Sequence, residues 1–322
     1  MQRFHKKNIV WTVLALAVYA ILFLLIQARV INPFHQITLV TIMINIIYAI
    51  GLNLILGVAG QFSLGHAGFI AIGAYSGAIL GLKIPGLAGM FVGMAVGIAI
   101  SIVVALIVGI PTLRLKGDYL AIATLGVAEI IRVALINMPS ITNGAAGLSG
   151  IPLSTTWDIV YICLVVCTIL LLNYTYSSAG RSTFAVLQDE IAAESMGVNV
   201  TKYKIIAFVL GAITASIGGT LASTYVGVVT PSDFTFMKSI DVLIIVVFGG
   251  IGSFTGSFVA AILLGIINML LQPFGQLRLI IYAVALILIM IFRPSGLLGT
   301  KEFTVAGLLK RFSKKKQDKE AA

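Results

Sequence analysis

The sequence predicts an all-α, polytopic transmembrane bundle of about ten spans, one of them short or broken, with both termini cytoplasmic. The first observation is composition. The 322-residue chain is 59% hydrophobic and only 10% charged, with a mean hydropathy of +1.10. Soluble domains carry about 25% charged residues, so a chain this apolar needs the bilayer as its solvent. The second is the form of the apolar runs. They are continuous and about twenty residues long, whereas a transmembrane barrel alternates over segments of about ten. The third is the placement of charge. With both ends inside, sixteen Lys and Arg fall in cytoplasmic segments, only Arg29, Lys83, Lys238 and Arg278 fall outside, and Arg132 lies within a span. That asymmetry follows the positive-inside rule, and losing one span would reverse every later segment.

Taken in order, Arg3, Lys6 and Lys7 precede an apolar run over 9–27. It is too long for a signal-peptide core and no small-x-small cleavage site follows, so it reads as a retained first span. Further spans are predicted at 37–57, 66–82, 87–110, 118–137, 157–173, 204–228, 254–271 and 278–292. Asp118 reads as the N-cap of the fifth. Asp241–Phe248 is too short to cross about 30 Å of hydrocarbon. It runs into the glycine-rich stretch Gly249–Gly256, which cannot continue a stable helix, and counts as the broken span. Lys238 and Asp241 read as a pair capping that segment at the outer surface. The longest outer loop, Pro139–Asp158, is rich in Gly, Ser, Thr and Pro, and Trp157 at its end fits an interfacial anchor. A second glycine-rich break, Gly60–Gly68, looks loosely like the first.

The chain is read as one transmembrane domain over 1–322, with a cytoplasmic loop at 181–204 and a basic cytoplasmic tail at 300–322. The net charge of +10 is concentrated partly in that tail, where it suits anionic membrane lipid rather than nucleic acid. Cys163 and Cys167 lie four apart on one side of a helix and match neither redox nor zinc spacing. The three histidines are scattered, so no metal site is expected. Gly73, Gly77 and Gly81 recur every four residues, as do Gly89, Gly93 and Gly97, and Gly211, Ala215 and Gly219 repeat the spacing. Small residues at this period let helix backbones approach closely, so Gly73, Gly77, Gly89 and Gly93 are read as helix-packing positions.

Catalytic and nucleotide-binding classes find no support. No Walker A sequence occurs, and neither paired carboxylates nor a Ser/His/Asp order suggests an enzyme. Three places carry other chemistry. Glu129 and Arg132, three apart within a span, share a helix face. Isolated mid-bilayer charges cost about 2.5–3.5 kcal/mol each on insertion scales, so the pair either lines a polar path or forms a structural ion pair. Gln61, Ser63 and His66, in the break at Gly60–Gly68, either present N–H groups at a helix start that hold a carboxylate, or form a membrane-edge turn with His66 satisfied by backbone. The third place is the charged island Arg181–Lys204. Within it a short helix, smooth at Ala192, Ala193 and Ser195, acidic at Asp189, Glu190 and Glu194, and stopped by Gly197, suits docking into a groove of another protein.

Six segments occur in order over roughly 52–299: LNLILGVAGQFSLGHAGFIAIGAY, LRLKGDYLAIATLGVAEIIR, TNGAAGLSGIP, DEIAAESMGVNVTKYKIIAF, VVFGGIGSFTGSFVAAILLG and RPSGLLG. Together they resemble the permease family of bacterial ABC importers for branched-chain amino acids, in its M-type subunit. The resemblance implies a multi-pass permease of the bacterial inner membrane. It implies as partners a second permease subunit, two cytoplasmic ATPase subunits carrying ATP and Mg, and an extracytoplasmic substrate-binding protein, with no cofactor on this chain. It also makes 181–204 the coupling loop. The general importer motif has EAA with a glycine three residues on. Here Ala192 and Ala193 match it, Ile191 stands where the glutamate would be, and Glu190 and Glu194 flank it. Leucine, isoleucine and valine are the implied substrates, with urea or another small amide or amino acid as the alternative. An ion-coupled secondary transporter working alone is the competing class; it leaves the island unexplained. A membrane scaffold without transport is a third.

Overall fold

The structure is a computed structural model that describes residues 16–28, 32–113, 115 and 117–274, with isolated positions from 277 to 299. The basic N-terminus, Arg29, Arg114, Lys116, Arg278, the basic residues from Arg293 onward and most of the expected last span lie outside the described residues. The elements in order are α1 Leu16–Gln27, α2 Pro33–Asn53, α3 His66–Lys83, α4 Leu87–Thr112, α5 Asp118–Ile136 and α6 Pro139–Thr142. There follow α7 Trp157–Tyr176, α8 Ser178–Gln188, α9 Glu190–Ser195, α10 Val200–Val226, α11 Phe236–Gly249 and α12 Phe254–Leu270. Among the described residues the only sheet is a two-residue pair on the loops, Leu148 opposite Val229 and Ser149 opposite Val228.

Among the described residues five helices are long and apolar enough to cross a membrane: α2 with its extension to Val58, α4, α5, α7 and α10. The pair α11–α12, bent by 116° at the break the sequence marks, makes up to six if it counts as one span. The chain is therefore all-α and multi-pass. The expected N-cap Asp118 is displaced by one position: Gly117 caps α5 and Asp118 stands inside its first turn.

The core is built on α10 and α3, flanked by α2 and α4. Gly73 meets the Ser216 backbone, Gly77 meets Thr220 and Gly81 meets Thr224, so α3 and α10 run parallel at a constant offset. Thr220 Oγ1 crosses the contact to donate to the Gly73 carbonyl at 2.9 Å. Tyr48 packs on Gly218, Gly51 on Thr214 and Ile55 on Gly211, so α2 runs antiparallel on another face of α10. A Cβ added at Gly93 would come within 2.8 Å of the Gly77 backbone, and Gly97 fits between Ser76 and Ser216. Gly89 makes room for the Leu80 and Ile84 carbonyls where α3 ends. Four helices are thus brought together by positions with little or no side chain, where dispersion over close backbones replaces a hydrophobic driving force.

The constant offset has a geometric consequence. It sets His66, the first residue of α3, beside residue 209, about 13 Å from the start of α10 at 1.5 Å per residue. Phe69 in the next turn stacks edge-on against Phe208 at 5.6 Å. The irregular segment 59–65 therefore climbs beside the first turns of α10 and is not a turn at the bundle's edge.

Candidate functional site: a glycine junction above the cytoplasmic helix

The end of α2 is where the site begins. After Asn53 the helix widens into a π-helical turn over Leu54–Val58, closed by the Ala59 amide on the Leu54 carbonyl at 3.1 Å. π-helical turns are rare and collect at functional positions. Here the widened turn brings Gly57 against the backbone of Gly252, where a Cβ would not fit. Asn53 locks this contact. Its Nδ2 donates to the Ser253 carbonyl at 2.8 Å and to Ser257 Oγ at 3.1 Å, and its Oδ1 accepts from the Gly252 amide at 2.8 Å. On the other side Gly250 lies against Gly296 and Gly299, and the Leu297 amide donates to the Phe248 carbonyl at 2.8 Å. The π-helical turn just before the first glycine-rich break therefore meets the second break, which Gly296 and Gly299 back on its other side. Asn53 had no place among the candidates from sequence. Its signal was a carboxamide inside an apolar run, which must find partners.

The predicted site residues of the first break separate. The amides at the start of α3, read as a carboxylate cradle, are already taken: Leu64 N–H by Thr124 Oγ1 at 3.1 Å, Gly65 N–H by Ser63 Oγ at 3.3 Å and Ala67 N–H by Ser239 Oγ at 2.9 Å. Ser63 is thus a local cap. Gln61 Nε2 donates to the Lys204 carbonyl at 3.0 Å, while its Oε1 has no partner. His66 is fully buried and the Tyr48 backbone faces its imidazole, so it is held inside the bundle and not in a turn at the membrane edge. Its ring stands edge-on to Tyr48 at 6.5 Å.

Glu129 and Arg132 do pair, Nε to Oε2 at 2.7 Å, with the side chains 31% and 26% exposed. They are not brought to His66. The neighbouring Ala128 and Ile131 pack on Gly68 of α3, which turns Glu129 toward an open groove of α5 lined by Gly126, Ile130, Val133, Ala134 and Asn137. Lys238 and Asp241 do not begin the helix they were expected to cap. The helix begins earlier, at Phe236, and the Lys238 ammonium sits over the Tyr48 ring, 5.6 Å from its centre.

The charged island resolves into two helices with a corner between them. Asp189 ends α8 and caps α9, its Oδ1 accepting from Ile191 N–H at 2.9 Å and Ala192 N–H at 3.1 Å. Glu190 forms an ion pair with Lys204, at the start of α10. The Val198 amide donates back to the Ala193 carbonyl at 3.0 Å, and Gly197 takes the left-handed conformation, φ +81°, that such a helix stop needs. The predicted acidic docking face is accordingly reduced, with Asp189 holding a cap and Glu190 holding α10. Ala193 points inward, 5% exposed, while Ile191 and Met196 are 76% and 85% exposed, with Ala192, Glu194 and Ser195 also in the open.

From that surface, contacts run without interruption into the bundle. Glu190 holds Lys204, the Lys204 carbonyl holds Gln61, and four residues before Gln61 the π-helical turn presents Gly57 to Gly252. No solved structure matches the chain. Curated relatives do. Over 290 residues it is 36% identical to the high-affinity branched-chain amino acid transport system permease protein LivM of Salmonella typhimurium, covering 80% of this chain and 68% of that one. The LivM protein of Escherichia coli matches at the same identity and coverage. The E. coli permease protein LivH is 25% identical over 79% of this chain and 91% of its own length. A family described as the branched-chain amino acid transport system permease component matches residues 36–292, and the chain belongs to that family.

Proposed function

We propose that this chain forms half of the translocation path of an ATP-driven importer for leucine, isoleucine and valine in a bacterial inner membrane. It spans the membrane about ten times with both termini inside. It pairs with a second permease subunit, receives substrate from an extracytoplasmic binding protein, and is driven by two cytoplasmic ATPases that carry ATP and Mg. The chain itself catalyses no reaction and holds no cofactor.

The observation that carries this reading is α9. A helix end with Ile191 and Met196 turned out to water has no use for that apolar surface in the isolated chain, and burying it against a partner is favourable at roughly 25 cal/mol per Å². The ATPase grips this surface, with Ala192, Glu194 and Gly197 forming the rest of the contact. Ala193, Asp189 and Glu190 hold the helix to its own bundle. Displacement of α9 then pulls Lys204 and Gln61, and through them the junction at Gly57 and Gly252. Gln61, Ser63 and His66 line the inner part of the path. The open groove at Glu129 and Arg132 is completed by the second permease chain and lines the path on that side.

The test is reconstitution of the four-subunit core with its binding protein in proteoliposomes. ATP-dependent uptake of labelled leucine, together with a crosslink between Cys introduced at Ser195 and the ATPase, is the expected result. A complex that assembles without any ATPase, or takes up leucine without ATP, contradicts the reading.

A further inference from the structure

Lys238 is the unresolved charge of this structure. It lies in the first turn of α11, a segment expected to sit at a water-exposed edge. Yet its ammonium is folded over the ring of Tyr48, a side chain 2% exposed. Tyr48 in turn packs on Gly218, about 12 Å short of the Val226 end of α10 at 1.5 Å per residue. Among the described residues Lys238 makes no ion pair and donates no side-chain hydrogen bond. Asp241, one turn along the same helix, and Asp233, held in the capping box with Thr230, are the neighbouring carboxylates; both act on it through space, and neither forms a close ion pair with it. An ammonium at this depth is costly unless an anion meets it, and the face of one tyrosine offsets only part of that cost.

The other side of Tyr48 carries the second observation. His66 stands against the same ring, fully buried, with the Tyr48 backbone as the polar group facing its imidazole. The Ala67–Ser239 hydrogen bond fixes the start of α3 to the residue after Lys238. An ammonium with no carboxylate in ion-pair contact and an imidazole with a ring nitrogen still free are therefore held around one aromatic side chain by α2, α3 and α11.

We propose that Lys238, Tyr48 and His66 form a way-station for the carboxylate of the transported amino acid, with the Lys238 ammonium as its charge partner and a His66 N–H as a second donor. This rests on the reading of the chain as an amino-acid permease and adds the group by which the membrane domain itself holds its cargo. It also gives that domain a means of discriminating amino acids from uncharged amides and alcohols of the same shape.

The experiment uses the assembled complex of both permease chains and both ATPases in nanodiscs, without the binding protein. Equilibrium binding of labelled leucine is competed by leucine or by leucinol, in which the carboxylate is replaced by an alcohol. A charge-assisted hydrogen bond predicts that leucinol binds the wild-type complex at least about tenfold more weakly than leucine. Lys238→Gln should remove that difference by weakening leucine, and Lys238→Arg should restore it. Leucinol competing as well as leucine in the wild type overturns the proposal and needs no variant to fold. Unchanged leucine binding in Lys238→Gln overturns it as well. Leucine uptake by the wild-type complex in proteoliposomes is measured alongside. Uptake with no carboxylate preference refutes the way-station alone, whereas absence of uptake refutes the permease reading and the way-station with it.

Discussion

Asn53 shows how much one side chain can hold in a membrane interior. Its carboxamide uses donor and acceptor on the backbone of a segment two hundred positions away. Asn53→Ala leaves the Gly252 amide without its acceptor in an apolar setting, while the Ser253 carbonyl keeps the Ser257 amide. A buried unsatisfied group of this kind costs about 1–3 kcal/mol. The expected result is a loss of about 1–3 kcal/mol in unfolding free energy, read by denaturant titration in detergent; a loss below about 0.5 kcal/mol contradicts the role. Glu129 behaves differently. Its pair with Arg132 is partly exposed, where such pairs contribute about 0–1 kcal/mol. Glu129→Gln should therefore assemble normally, and a fall in leucine uptake in that variant places the pair on the path. At this scale the sequence announced Glu129 and Arg132 because charge is conspicuous in an apolar run. It did not announce what Lys238 does, because a lysine at a predicted span boundary reads as an ordinary cap until the fold lays it over Tyr48.

Among the elements, α3 and α10 make the sharpest comparison. Gly73 and Gly81 belong to the same every-fourth-residue pattern, but a Cβ at Gly73 would overlap the Ser216 backbone, while one at Gly81 would meet only Ile151 and Thr224 at 3.8 and 3.9 Å. Gly73→Ala should abolish assembly of the complex and Gly81→Ala should be tolerated, measured by recovery of the purified complex. Equal recovery would mean that the two helices do not touch as described. The period was legible; which glycines tolerate a methyl was not, since that depends on the partner's backbone. The same holds for α9. Small residues and a stop at Gly197 identified a docking helix, but its facing was set by the corner at Asp189 and the tie from Glu190 to Lys204. Ile191→Asp, on the exposed face, should lower substrate-stimulated ATP hydrolysis at least about fivefold with the helix in place. Ala193→Trp should dislodge α9 and expose the loop to proteolysis. If Ile191→Asp hydrolyses ATP like the wild type, the exposed face is not the contact.

For the whole molecule, composition and charge placement were enough to establish a multi-pass helical bundle, because nothing else accommodates so apolar a chain. Spans near 33–58, 87–112, 118–136, 157–176 and 200–226 followed from run length alone. The climbing segment 59–65 was hidden, since glycines and small polar residues describe a surface turn and a buried irregular backbone equally well. Only partners such as Thr124 and Lys204 decide between them. A pairwise test reaches across this scale. Glu190→Ala and Lys204→Ala should each uncouple ATP hydrolysis from leucine uptake, and the double variant should be no worse than either single one. Additive losses would mean that the two residues act through separate routes.

The contact between Gly57 and Gly252 has one more consequence. Surfaces without side chains can slide past each other with no rotamer to turn and no methyl to lift over a ridge. The resistance to such a slip is concentrated in a single amide group clasping the opposite strand of chain. A motor pulling from below would then meet a bearing with one catch, and releasing that catch would set how quickly the gate swings.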